Sequence, residues 1–329
     1  MRPLRLTGLI VYLVSLSLMF SCTKSQEEQE EITDYSQYVN PMIGTGGHGH
    51  TFPGATLPFG MVQISPDNGK NGWDWCSGYH YSSDSIVGFS HTHISGTGIG
   101  DMLDVSVMPS SVNIPITSMD TMGFDISPYY ATFSHDDEEA SPGYYRVLLK
   151  ESGIQAEFTA SYRSAFHRYS FPGKDTVSMI IDLGFHVNWD APVDTHVKVI
   201  SDSLVTGFRF SNGWAANQKV YFAMRFSKSL FAFYGSGKDT LYISDPRSIE
   251  SPSSLAVLKF NIAGDPVIMV KVGLSSVSEE NALINLNAEL PDWDFEKARA
   301  SARRAWNREL SRIEVAGGSP DQRSVFYTA

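Results

Sequence analysis

At 329 residues the chain is long enough for one large domain or two ordinary ones, and 42% hydrophobic with 19% charged residues describes a globular protein with ample core. A formal charge of −11 argues against nucleic acid as a partner, because a binder needs a Lys/Arg surface to neutralise phosphates. The acidic balance suits neutral ligands such as sugars without identifying one.

Residues 1–22 read as a targeting segment. Arg2 and Arg5 form a basic start, and the apolar run Leu9–Phe20 is too short to span a bilayer comfortably. It ends in Ser21-Cys22, which resembles a bacterial lipoprotein box, although Met19 stands where leucine is commoner. The implied event is cleavage before Cys22 and diacylation of its sulfur, with a plain cleaved signal or an uncleaved anchor as the alternatives. Residues 23–35 form an acidic tether, with Glu27, Glu28, Glu30 and Glu31 in a solvated stretch. That run also resembles the surface-export signal of Bacteroides-like lipoproteins. With Cys22 lipidated, Cys76 is the remaining thiol and no intrachain disulfide forms.

From Tyr38 to about Ser110 the chain is rich in Gly, Pro, His and Trp. A structureless loop of that length does not suit a compact domain, so ordered loops around a site plus a few strands are expected. From Gly143 to Val272 short β-branched and aromatic runs alternate with turn residues. The expected strands are Tyr144–Leu149, Ile154–Thr159, Ala165–Phe171, Val177–Leu183, His196–Ile200, Leu204–Phe210, Val220–Phe226, Leu255–Phe260 and Val267–Val272. Strands at roughly ten-residue spacing without intervening helices predict an antiparallel β-sandwich. After Ser278 the period becomes helical. Glu279–Leu290 is one helix, and Asp294 caps a second with Phe295, Ala298, Ala302, Trp306, Leu310 and Ile313 on one face. Asp321–Ala329 looks like the opening of a third. The expectation is therefore a mostly β chain followed by a short α-helical stretch, stopping mid-element.

Gly44 to Gly49 (GTGGHG) satisfies GxGxxG, but Phe52-Pro53-Gly54 and Leu57-Pro58 follow, so no helix opens there to hold a pyrophosphate. The glycines instead allow close backbone approach. His48, His50, His80, His91 and His93 form a cluster whose pairs 48/50 and 91/93 would each share a face in a strand. No acid lies within either pair to complete a zinc signature, so no metal ligands are assigned. A structural or hydroxyl-binding role is expected, with a histidine-bound metalloenzyme as the alternative. Trp73-Asp74-Trp75-Cys76, between Gly72 and Gly78, places a carboxylate among indoles. Sugars stack C–H faces on such rings and bond their hydroxyls to such carboxylates. Cys76 is expected to be an inert buried thiol rather than a nucleophile, and Asp101 and Asp104 to be solvated turn residues, with a catalytic or calcium-binding pair as the alternative.

Together these motifs resemble glycoside hydrolase family 92, bacterial calcium-dependent exo-α-mannosidases. The resemblance rests on Tyr38–Gly60, Gly72–Gly100, Ala140–Tyr145, Phe166–Pro172, Lys271–Ser278 and Trp293–Ala329. It implies a galactose-mutarotase-like supersandwich over 36–277, a helical linker over 278–313 and the start of an (α/α)6 catalytic barrel over 314–329. It also implies an inverting reaction on mannose-containing N-glycans. The barrel would supply the acid, the base and most contacts to calcium, so no catalytic residue is assigned here. The sugar contacts it implies are Trp73, Asp74, Trp75 and Cys76, with Gly47 and His48 lining the same face and His91 and His93 as further candidates. The implied partners are mannose-containing glycans, the missing barrel, and the outer membrane through the lipid anchor. The competing reading is a stand-alone surface glycan-binding lipoprotein without catalysis.

Overall fold

The computed structural model describes residues 34–69, 72–112, 129–237, 240–242 and 247–329. Cys22, where lipidation is expected, and most of the acidic tether lie outside them. No described helix is long and apolar enough to cross a membrane.

The strands are, in chain order, β1 (Ala55–Thr56), β2 (Gln63–Asp67), β3 (Ser85–Ile86), β4 (Gly88–Ser90), β5 (Ser106–Ser110) and β6 (Ala131–Thr132). They continue with β7 (Glu138–Ser141), β8 (Tyr144–Leu149), β9 (Ile154–Ala160), β10 (Ser164–Ser170), β11 (Thr176–Asp182), β12 (Ala191–Ser201) and β13 (Leu204–Asn212). The series closes with β14 (Gln218–Phe226), β15 (Leu230–Gly237), β16 (Thr240–Tyr242), β17 (Ser248–Ser251), β18 (Leu255–Asn261) and β19 (Val267–Ser275). One sheet runs β1-β2-β4-β5-β11-β18-β15-β16 and the other β17-β12-β13-β14-β19-β10-β9-β8-β7, with β3 and β6 paired separately. Their pairings are antiparallel.

The two large sheets stack face to face, because alternating side chains give each an apolar face to bury. β9 alternates buried and half-buried positions before becoming wholly buried. Phe89 of β4 meets Phe158 of β9 with ring centroids 4.5 Å apart, and Phe226 of β14 meets Phe260 of β18 at 5.0 Å. The nine strands expected from periodicity all fall on observed ones. β5 escaped that reading because all its residues are buried and it contains Pro109, so it shows no alternation.

Three helices close the chain: α1 (Glu279–Glu289), α2 (Phe295–Leu310) and α3 (Pro320–Thr328). Ser278 caps α1 by accepting from the Asn281 N–H, and Asp294 caps α2 by accepting from the Lys297 N–H at 2.9 Å. α1 lies close on β19, since a side chain at Gly273 would strike Ala282 and Leu286. Phe295 of α2 packs with Tyr144, Phe166 and Leu290, and the Trp306 Nε1–H donates to the Thr56 carbonyl at 2.6 Å. The apolar stripe of α2 is thus covered by the sandwich. Only Ile313 of that stripe, beyond the end of α2, is strongly exposed.

His91 and His167 meet inside the sandwich, both fully buried, with Nε2 atoms 3.1 Å apart. The His91 Nδ1–H donates to the Val105 carbonyl at 2.6 Å, so its Nε2 accepts from His167, whose Nδ1 accepts from the Tyr169 hydroxyl. Every position in this chain is taken by neutral rings. Burial pushes His91 down to about 4 and His167 well below the ordinary histidine value. In the unfolded chain both titrate near ~6.5. Their stabilising contribution is therefore complete above that pH and is lost as pH falls from there toward about 4. Thermal melts should show stability dropping between pH 7 and 5, with a shallower drop in His167→Gln; equal slopes would rule out this pair as a source.

Candidate sugar-binding site

The site is built on a short 3-10 turn, Trp73–Trp75. The Trp73 Nε1–H donates to the Gly98 carbonyl at 2.7 Å, which fixes the indole while leaving the residue 51% exposed. One edge of that ring faces His50 at 4.2 Å and another faces His48 at 5.6 Å. Asp74 Oδ1 lies 2.6 Å from His48 Nδ1 and 3.3 Å from His50 Nε2. The His48 hydrogen bond, first, and His50 hold the Asp74 carboxyl below its usual range despite partial desolvation. The result is an exposed indole beside an ionised carboxylate bracketed by two imidazoles.

His48 and His50 do share a target, as their spacing suggested, yet no strand carries them. The glycine-rich turn does it, with Gly47 at φ 57° and His50 itself at φ 54°. His50 is held in that left-handed conformation by its carbonyl, which accepts from the Gly96 N–H at 2.6 Å. Gly49 packs against the Gly44 carbonyl so tightly that no side chain fits. The acid missing from the histidine pairs is Asp74, 26 residues from His48.

Of the other expected contacts, Gly47 is exposed and its carbonyl accepts from His80 Nε2 at 3.1 Å. Trp75 is half-buried, donating Nε1–H to Ser83 Oγ at 2.8 Å and lying on His80 at 4.5 Å. It supports the turn rather than facing outward. Burial separates the remaining three from the expectation of sugar contact. Cys76 is 1% exposed, and burial pushes its thiol above the ordinary value, so it is neither an open contact nor a thiolate. His91 is spent on Val105 and His167. His93 is buried too: Nδ1–H donates to the Gln63 carbonyl at 2.8 Å and Nε2 faces Asp67 at 3.3 Å.

Asp101 and Asp104 are also buried, not solvated. Asp104 accepts from Arg209 Nη1–H at 2.7 Å and from the Thr92 hydroxyl at 2.7 Å. Asp190 bonds the other side of the same guanidinium. Asp101 accepts from the Ala215 N–H and from Gln218. These contacts fasten the loop after Gly98, which touches Trp73. Arg209 lies deep in β13, over a hundred residues from Asp104 in sequence, and nothing local in the sequence marks the partnership.

The sequence model of the glycosyl hydrolase family 92 N-terminal domain matches residues 38–275, and that of the family 92 catalytic domain matches 281–329. The chain belongs to glycosyl hydrolase family 92. A solved family 92 α-mannosidase from Bacteroides thetaiotaomicron superposes with a TM-score of 0.80 at 32% identity, covering 90% of this chain and 40% of that one. A family 92 inverting mannosidase from the same organism gives 0.76 at 28% identity, covering 91% and 39%. An uncharacterized secreted glycosidase from Arthroderma benhamiae is 28% identical, over 93% of this chain and 41% of its own length. The chain thus spans about 40% of the length of these family 92 relatives.

Gly98 sets the position of Trp73. At Gly98, with φ 66°, an added Cβ would come within 2.9 Å of Trp73 Cζ2, whereas at Gly47, with φ 57°, it would meet nothing within 4 Å. Both alanine variants should lose about 1–2 kcal/mol from the left-handed backbone. Only Gly98→Ala should shift the tryptophan emission; an equal shift in Gly47→Ala would show that contact with Trp73 is not the cause. Arg209→Met should cost more, roughly 3–5 kcal/mol in urea unfolding, because it strands two buried carboxylates.

Proposed function

We propose that this chain is the sugar-binding portion of a secreted exo-α-mannosidase acting on mannose-containing N-glycans. The observation that carries this reading is the exposed Trp73 indole beside the Asp74 carboxylate. The ring offers a flat apolar face to the C–H side of a pyranose, and the carboxylate accepts two adjacent hydroxyls. His48 and the Gly47 backbone line the same face. The family membership and the mannosidase activity named for two solved relatives support the choice of sugar.

In this reading residues 36–277 are the carbohydrate-binding domain, 278–313 the linker and 314–329 the start of the catalytic barrel. The reaction is inversion, in which one carboxylic acid protonates the leaving oxygen and a carboxylate opposite activates water, the two standing roughly 6.5–9.5 Å apart. No residue of this chain is assigned to either role. Its own part is to bind and orient the mannose ring. Calcium, which the family resemblance implies, takes six to eight oxygen ligands. Among the described residues the converging set is two imidazoles and one carboxylate, which does not fit that ion. Cys22 is proposed as the site of lipidation, anchoring the protein to the outer membrane on its periplasmic or outer face.

Affinity electrophoresis through mannan-containing gels tests the binding role. The folded chain should be retarded, α-methyl mannoside should release it, and Trp73→Ala should weaken retention at least tenfold. No retardation of folded protein would overturn the sugar-binding reading. Mannose release from α-mannobiosides at enzymatic rates would instead place the acid and base within this chain.

A further inference from the structure

The geometry points to a transition-metal site of the zinc class at His48, His50 and Asp74. The donor atoms of these side chains all lie within 4.8 Å of one another. Zinc bonds to imidazole nitrogen and carboxylate oxygen at about 2.0–2.2 Å, which asks for ligand separations a little over 3 Å around a tetrahedron. His50 Nε2 to Asp74 Oδ1 already measures 3.3 Å. The His48 Nδ1 to Oδ1 distance of 2.6 Å must open by about 0.7 Å to match a tetrahedron. That adjustment is cheap, because the His48 side chain is 76% exposed and turns on a glycine-flanked loop.

The rest of the cluster is already in place. His50 is buried and fixed by the Gly96 contact, and Trp73 packs against both rings. Asp74 cannot leave, because it sits in the turn anchored by the Trp73 bond to Gly98. Each imidazole nitrogen lies within hydrogen-bond reach of Asp74 Oδ1 and can share a proton with it. On metal binding that proton moves to the other ring nitrogen, His48 coordinating through Nδ1 and His50 through Nε2, so neutral rings release nothing. Three protein ligands leave the fourth position open to water, the arrangement of exposed rather than structural zinc sites. The imidazole share of the donor set selects zinc, copper or nickel over calcium or magnesium. This inference stands on the donor atoms and not on the sugar reading.

The test is calorimetric titration of the purified, tag-free full chain with zinc chloride, without sugar. One equivalent should bind, a hundredfold excess of calcium should not displace it, and affinity should fall roughly tenfold or more in both His48→Ala and Asp74→Asn. His48 is exposed, so its variant should melt like the parent, which keeps folding out of the comparison. Absence of saturable binding, displacement by calcium, or unchanged affinity in either variant would overturn the site.

Discussion

Arg209 is fully buried, and its guanidinium bonds both Asp104 and Asp190. A charge so placed is tolerable only when its donors find acceptors, and the Leu183 and Phe185 carbonyls take two more of its N–H groups. One strand of the nine-stranded sheet is thereby tied to two loops, one after β4 and one after β11. The first of these passes Gly98 and Thr92 on its way to Asp104, so the guanidinium also fixes the backbone that receives the Trp73 indole. Left-handed backbone at Met102, Leu103 and Val105 shows how far that loop is bent to reach it. Strain of this kind persists where surrounding contacts over-determine the conformation.

The site follows from that anchoring in a second way. Its polar groups come from separate segments, 46–50, 73–75 and 96–98, of which only 73–75 forms an element, a single 3-10 turn. What holds them is a set of buried polar anchors. Glu138 accepts from the hydroxyls of Tyr79 and Tyr145 and lies 2.8 Å from His135, which stacks on Tyr81. His80 ties its own segment to Gly47. Ordered loops on a rigid sandwich can present an indole, a carboxylate and two imidazoles to solvent, which a flat sheet face could not do without losing its core.

At the other end, α1 and α2 pack against the outer surface of the nine-stranded sheet rather than extending the core. Lys271 of β19 shows the character of that junction. Its ammonium is covered by Trp293 at 4.2 Å, donates to the Leu290 carbonyl, and is lowered by burial to about 8. Arg299 lies 3.5 Å over the Tyr144 ring and Arg168 4.3 Å over Phe295. Arg299, a cation that a helical wheel assigns to solvent, is here spread over an aromatic face, as are the two strand cations.

The sequence by itself determined nine strands of the sandwich, the helix cap at Asp294, and the family. All three are local: period-two burial, a side chain three residues from its N–H, and contiguous motifs. It also singled out Trp73-Asp74 as the candidate sugar contact, since a carboxylate between indoles is legible in four letters. Only the tertiary structure decided which histidines reach that centre. His48 and His50 do, while His91 and His93, with the same spacing, turn inward to Val105, His167, Gln63 and Asp67. It also took Asp101 and Asp104 out of solvent. The physical reason is that burial and pairing of polar groups are set by partners far away in the chain, as Arg209 is for Asp104, and no local period encodes them.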